Sequence, residues 1–144
     1  MHSSRKGNLL LCNIARAQRV LFRTLIIMEM CMKFTNSLRS NRDFQNVFKS
    51  GRSYANKYLV MYVSKNQLDG NRLGISVSKK VGNSVVRHRV KRLIKESYRL
   101  QENIFNSGLD IVVIARNNAA DFTYPEAESA LLHLWKLHSK KLDK

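Results

Sequence analysis

The sequence predicts an α+β fold built on one sheet, and three observations carry that prediction. Residues 72–78 alternate in polarity, the period of a half-buried strand. Residues 84–100 instead repeat their apolar side chains at helical spacing. Residues 109–115 form a near-continuous apolar run suited to a buried central strand. A chain of 144 residues is long enough for one domain with a real core.

Each element has its own local cause. Asn41 can cap a short helix, with Asp43 in its first turn and Gly51 closing it. Phe44, Val47 and Phe48 stand at i, i+3 and i+4 and make one apolar stripe. Residues Tyr54 to Lys65 (YANKYLVMYVSK) are rich in aromatic and β-branched side chains and read as a strand, with Ala55-Asn56-Lys57 as the place where it could bend into two. Asp69-Gly70 within residues 67–71 signals a turn. In the next strand Leu73, Ile75 and Val77 face one way and Arg72, Gly74, Ser76 and Ser78 the other. That asymmetry predicts a sheet covered by helices on one side only.

The long helix runs from about Ser84 to Leu100 with Asn83 as N-cap, and Val86, Val90, Leu93, Ile94 and Ser97 form its core face. Ser107-Gly108 leads into the apolar run Leu109 to Ala115. Thr123-Tyr-Pro-Glu126 is a capping-box pattern, and the last helix aligns Ala127, Ala130, Leu131, Leu134 and His138 on one face. The order helix, strands, helix, strand, helix gives the α+β class. No internal repeat or interdomain linker interrupts it.

Charge narrows the function. The 26 Lys and Arg against 10 Asp and Glu leave a formal +16, and residues 32–144 alone keep 21 basic and 9 acidic residues. Within residues 72–99 nine cations (Arg72, Lys79, Lys80, Arg87, Arg89, Lys91, Arg92, Lys95 and Arg99) meet one acid, Glu96. A solvated face normally mixes both signs. Crowded like charges repel in the free protein, and a polyanion removes that cost while releasing counterions. Nucleic-acid binding is therefore the expected function class. A membrane surface would want exposed Trp, Phe or Leu opposite the cations, where here the opposite face reads as core.

Both cysteines, Cys12 and Cys31, lie in the first 31 residues, so residues 32–144 hold neither an internal disulfide nor a Cys-based zinc site. A reducing, intracellular setting fits. Residues 1–31 carry short apolar patches broken by Arg16, Arg19 and Arg23, which matches neither a membrane helix nor a secretory signal. Met32-Lys33 reads as the natural beginning of the domain, and residues 1–31 as an extension outside the fold, from an upstream start choice. A targeting or RNA-contacting extension is the alternative.

Leu73-Gly-Ile-Ser-Val-Ser-Lys-Lys80 followed by Gly82-Asn-Ser-Val-Val-Arg87-His-Arg-Val-Lys-Arg92 closely resembles the bacterial ribonuclease P protein component. The likeness extends over about residues 32–142 and includes Asp43-Phe44-x-x-Val47-Phe48 and Asp110-Ile-Val-Val-Ile-Ala-Arg116. It implies a two-layer α-β sandwich, αβββαβα, of the ribosomal protein S5 domain 2-like kind, with a left-handed βαβ crossover where the general rule expects a right-handed one. His88 stands where the family's signature helix usually has Asn, and Ser84 where Ala is commoner.

The resemblance further implies a cytoplasmic protein that joins a large catalytic RNA, 1:1, and helps it remove the 5′ leader of precursor tRNA. The RNA would hold the Mg²⁺ and perform the chemistry, with no cofactor, metal or catalytic residue on the protein, no membrane partner and no small-molecule substrate. Lys79, Lys80, Arg87, His88, Arg89, Lys91, Arg92 and Lys95 would contact RNA phosphates, with Arg39 and Arg42 assisting and Lys95 and Arg99 the cations nearest to plain solvated charges. Phe44, Phe48 and Tyr62 would line the family's cleft for the single-stranded leader, where stacking is worth ~1–3 kcal/mol per base whatever the sequence. Taken alone, rings at i and i+4 are more often core.

Other readings are weaker. A structural ribosome-associated RNA-binding protein is the main alternative. A protein-only nuclease would need paired metal-binding carboxylates, and the acids are dispersed. His88 has no carboxylate beside it in sequence to make it a general base. His133 and His138 are five apart, a poor ligand spacing, and read as structural. Gly82-Asn83-Ser84 lacks a phosphate-binding glycine loop, and helix-turn-helix DNA binding lacks its preceding helix.

Overall fold

The computed structural model describes residues 35–105 and 108–142. The expected extension over residues 1–31, the beginning at Met32-Lys33, both cysteines and Ser107 lie outside the described residues. From the amino end the elements are β1 (Thr35–Ser37), α1 (Asn41–Ser50), β2 (Arg52–Ala55), β3 (Leu59–Lys65), β4 (Asn71–Val77), α2 (Ser84–Leu100), β5 (Leu109–Ala115) and α3 (Tyr124–Leu142), with single 3₁₀ turns at Glu102–Ile104 and Asn117–Ala119. The order from α1 onward is αβββαβα, as the resemblance implied.

The five strands lie in the order β1-β4-β5-β3-β2. β4 pairs with β1 and β5 in parallel, and β3 pairs with β5 and β2 antiparallel. β5, apolar along nearly its whole length, is the central strand and is buried on both faces. Gly108 at its entrance takes φ +79°, a conformation that favours glycine. The chain between Ala55 and Leu59 turns on Asn56, whose side chain accepts from the N–H groups of Tyr58 (3.0 Å) and Leu59 (2.8 Å). The apolar 54–65 run thus becomes two strands, beginning earlier than expected, at Arg52.

α2 and α3 bury their stripes against one face of the sheet. Val90, Ile94, Ser97, Ala127, Leu131 and Leu134 are fully buried there, together with Tyr98, which the periodicity did not single out. The Tyr98 hydroxyl lies 3.1 Å from Thr35 Oγ1 and accepts from Asn71 Nδ2 at 3.4 Å, tying β1 and β4 to α2. His138 meets the Tyr54 hydroxyl at 3.2 Å in the same core, as a structural histidine.

The β4–α2–β5 crossover is left-handed, and local geometry shows why. Leu73 packs its side chain into the core beneath α2 and gives its carbonyl to Leu38 N–H of the β1 side at 2.9 Å. For an L-residue seen with α2 toward the viewer and β4 running upward, that arrangement places β1 on the right and β5 on the left.

Three expectations need correction. The sheet is not covered on one side only: α1 lies across the opposite face, where Val47, Leu38 and Val112 form a second, small core. The N-cap of α1 is Ser40, not Asn41, and makes no side-chain cap hydrogen bond. β1 was absent from the expected order because Thr35-Asn36-Ser37 carries no hydrophobic alternation.

Candidate nucleic-acid interface

The α1 face builds an aromatic patch. Val47, 2% exposed, anchors the helix on the sheet, and this leaves Phe44 and Phe48 half-buried at the helix edge. Tyr62 rises from β3 to meet them. The Phe44 and Phe48 centroids are 6.3 Å apart, and Phe48 meets Tyr62 edge-on at 5.0 Å and 71°. All three rings pack at the rim of the small core and remain partly open to solvent. They are amphipathic surfaces suited to stacking, held at fixed spacing.

Gly74 makes room for this patch. A Cβ there would stand 2.6 Å from Phe44 Cζ. Because the obstacle is the tip of a ring, Gly74→Ala is expected to displace Phe44 at a stability loss of about 1 kcal/mol, the low end of overpacking. Affinity for single-stranded RNA should fall several-fold. Urea denaturation and a binding titration check both, and unchanged binding would mean that the ring's position is immaterial.

An ion-pair cluster lies beside the rings. Arg72 Nε donates to Asp110 Oδ1 at 2.8 Å while Nη2 meets Asp110 Oδ2, and Nη1 reaches Asp43 Oδ2 of α1 at 3.4 Å. Asn66 adds a bond to Asp110 Oδ1 at 2.9 Å. Burial pushes the Asp110 carboxyl up, but the hydrogen bonds from Arg72 and Asn66 and the guanidinium charge outweigh it and hold it below the ordinary carboxylate value. Arg72 thus fastens α1 to the sheet and is not a free cation.

On the other face, α2 presents its cations. Asn83 accepts from Val86 N–H at 3.0 Å and starts the helix where the sequence predicts. His88, Lys91, Arg92 and Lys95 are exposed and, with Ser37, Leu38, Leu73 and Ile75, line a groove of about 240 Å³ between α2 and the β1–β4 edge. No ion pair to Lys91, Arg92 or Lys95 is present among the described residues, so these three charges stand uncompensated. Leu38 belongs both to this groove and to the small core under the aromatic rings, so the two surfaces meet at the β1 edge.

The remaining predicted residues are spread around this centre. Arg87 is half-buried, with its Nε buried and lacking a hydrogen-bond partner. Arg89, two residues on and so about 200° around the helix, points the other way and donates to the carbonyls of Ala120 (3.3 Å) and Phe122 (3.2 Å). Lys79 and Lys80 are exposed in the turn between β4 and α2, and Arg39 and Arg42 are exposed around the start of α1. Arg99 pairs with Glu96 at 2.6 Å. Sequence reasoning missed Leu38 and the commitments of Arg72 and Arg89. Asp43 and Asp110, both in the motifs that carry the resemblance, were the available signal for Arg72. Among the described residues no group of three His, Cys, Asp or Glu comes together as metal ligands.

Known proteins resemble this chain in sequence and in fold. The family model described as Ribonuclease P matches residues 32–138. A ribonuclease P protein component of Lachnoclostridium phytofermentans is 64% identical over 104 residues, 72% of this chain and 90% of the relative. One from Alkaliphilus metalliredigens is 58% identical over 103 residues, covering 72% and 93%. Among solved structures, the Staphylococcus aureus RNase P protein superposes with a TM-score of 0.67 at 41% identity, over 71% of this chain and 94% of that one. The RNase P protein from Thermotoga maritima does so with 0.64 at 36%, over 69% and 94%. With its motifs in register, its fold matched and most of its length covered, the chain belongs to the ribonuclease P protein family.

Proposed function

We propose that this chain is the RNA-binding protein subunit of ribonuclease P, assisting a catalytic RNA in endonucleolytic removal of the 5′ leader from precursor tRNA. Membership of the family supports the role, and a structural ribosomal role is not favoured. One observation carries the residue-level reading: an aromatic patch able to stack unpaired bases and an uncompensated cationic groove meet at Leu38. Phe44, Phe48 and Tyr62 bind the single-stranded leader. Lys79, Lys80, Arg87, Lys91, Arg92 and Lys95 neutralise phosphates of the catalytic RNA and of the leader near the cleavage site. His88 contacts RNA beside them in the groove, while Arg89, held on the Ala120 and Phe122 carbonyls, adds only the field of its charge.

In this reading the protein relieves repulsion between two polyanions. Bond breaking and its Mg²⁺ belong to the RNA partner, joined 1:1, in the cytoplasm. Residues 32–144 are the domain that does this, supported by the family match over residues 32–138, with residues 1–31 an extension. No described helix is long and apolar enough to cross a membrane.

Reconstitution tests it. Added to its cognate catalytic RNA at low magnesium, the wild type should restore leader cleavage, and Arg87→Ala/Arg92→Ala should need higher protein concentration for the same rate. With roughly 6–8 phosphate contacts, log affinity should fall with log salt at a slope of about −5 to −7. Cleavage by the protein without RNA, or a flat salt response, overturns the reading.

A further inference from the structure

The aromatic row on α1 does not end in open solvent. Ser50, the last residue of α1, lies 3.1 Å from Ser64 through their hydroxyls. Ser64 follows Tyr62 on the same face of β3, roughly 6.6 Å farther along the strand. Around the end of the sheet from there, where β3 finishes and β2 and β5 begin, a second pocket of about 590 Å³, the size of a small-ligand site, opens on the α3 side. It lies on that side because Val63 and Lys65 alternate with Tyr62 and Ser64 and face the other way. Its lining includes Ser50, Arg52, Val63, Lys65, His138 and Leu142.

The chemistry of this pocket is that of a nucleotide. Val63 and Leu142, with Leu109, give apolar wall against which a base can lie. Arg52 and Lys65 are exposed and form no ion pair among the described residues, and no carboxylate lines the pocket. His138 is held at Nδ1 by the Tyr54 hydroxyl at 3.2 Å, which fixes its ring at the pocket wall. Burial and then the charge of Arg52 both hold the His138 pKa below its ordinary value, so the positive charge here sits on Arg52 and Lys65.

We propose that this pocket is a further subsite for single-stranded RNA, taking a phosphodiester-linked nucleotide of the leader upstream of those on Phe44, Phe48 and Tyr62. Arg52 and Lys65 hold its phosphate, and the leader reaches it by passing the Ser50–Ser64 contact. This rests on the aromatic patch being the leader site.

Full-length protein bound to its catalytic RNA is titrated with precursor tRNAs whose leaders are lengthened one nucleotide at a time. Wild type should gain affinity in two stages, the second at leaders too long for the aromatic row alone. Arg52→Gln/Lys65→Gln should abolish the second stage, about tenfold, and keep the first. Phe44→Leu/Phe48→Leu should reduce the first. Equal loss at every leader length, or no loss, makes the pocket no subsite while leaving the aromatic reading intact. Absence of any leader dependence in the wild type sinks both. Thermal melts of Arg52→Gln/Lys65→Gln, which alters exposed side chains, confirm that it folds.

Discussion

Replacing Phe44 and Phe48 together by Leu is expected to weaken binding of leader-bearing precursor tRNA about a hundredfold, with mature tRNA affected no more than about twofold. Stacking on an aromatic ring contributes ~1–3 kcal/mol per base, so losing two platforms removes roughly 2–6 kcal/mol, and a hundredfold lies at the low end. Leu keeps most of the apolar surface that these residues press against Val47 and Val112, so the fold survives. What disappears is the planar face and the edge-on contact of Phe48 with Tyr62 at 5.0 Å, itself worth about 0.5–1.5 kcal/mol. Parallel titrations with the two tRNAs measure the difference. Equal losses on both would mean that the rings serve packing alone.

Arg72→Met is expected to destabilise the fold by about 2–4 kcal/mol. Breaking a buried pair typically costs ~3–5 kcal/mol; solvent screening lowers the figure here, because the Arg72 side chain is 27% exposed. Met keeps the volume and removes the charge, leaving Asp110, whose side chain is 10% exposed, without its guanidinium. The pH dependence gives a second readout. In the wild type the Asp110 carboxyl is held below its ordinary value, so its contribution is complete above that value and is lost as pH falls through the folded one. In Arg72→Met, burial acts unopposed by the guanidinium and protonation relieves the unpaired charge. The stability gap between the two proteins should therefore shrink as pH drops from neutral to about 3, followed by urea unfolding. A gap that stays constant would place the effect in packing.

Because Arg72 ties Asp43 of α1 to Asp110 of β5, the same substitution should loosen the aromatic patch. Phe44 directly follows Asp43, and its ring sits over Gly74, two residues from Arg72 on the same face of β4. Leader affinity should then fall even where the protein is still folded.

Much of this molecule was written locally. The apolar stripe of α2, its Asn83 cap and its cationic outer face follow from spacing and side-chain chemistry within one element, and each stands where those rules put it. The strand β5 and the buried face of α3 were legible for the same reason. Glu126 does reach back to Thr123 N–H at 2.7 Å, the half of the capping box that the motif promises. The three aromatic residues were legible as candidates, but not their mutual contact, since Tyr62 lies 14 residues beyond Phe48 on another element.

Tertiary structure decided the rest. Charge counting treats nine cations in residues 72–99 as equal. The fold removes Arg72 into an ion-pair cluster whose acids lie 29 and 38 residues away, and turns Arg89 onto backbone carbonyls 31 and 33 residues away. The face chosen by α1, the parallel pairing of polar β1 and the left-handed crossover are likewise absent from any local pattern. Amino-acid order alone settled which segments other than β1 are helical or extended and that the protein carries a large positive charge, because those depend on neighbours a few residues apart. Which cations remain free for a polyanion, and which rings face one another, depends on groups brought together from distant parts of the chain, and only the packed structure supplies that.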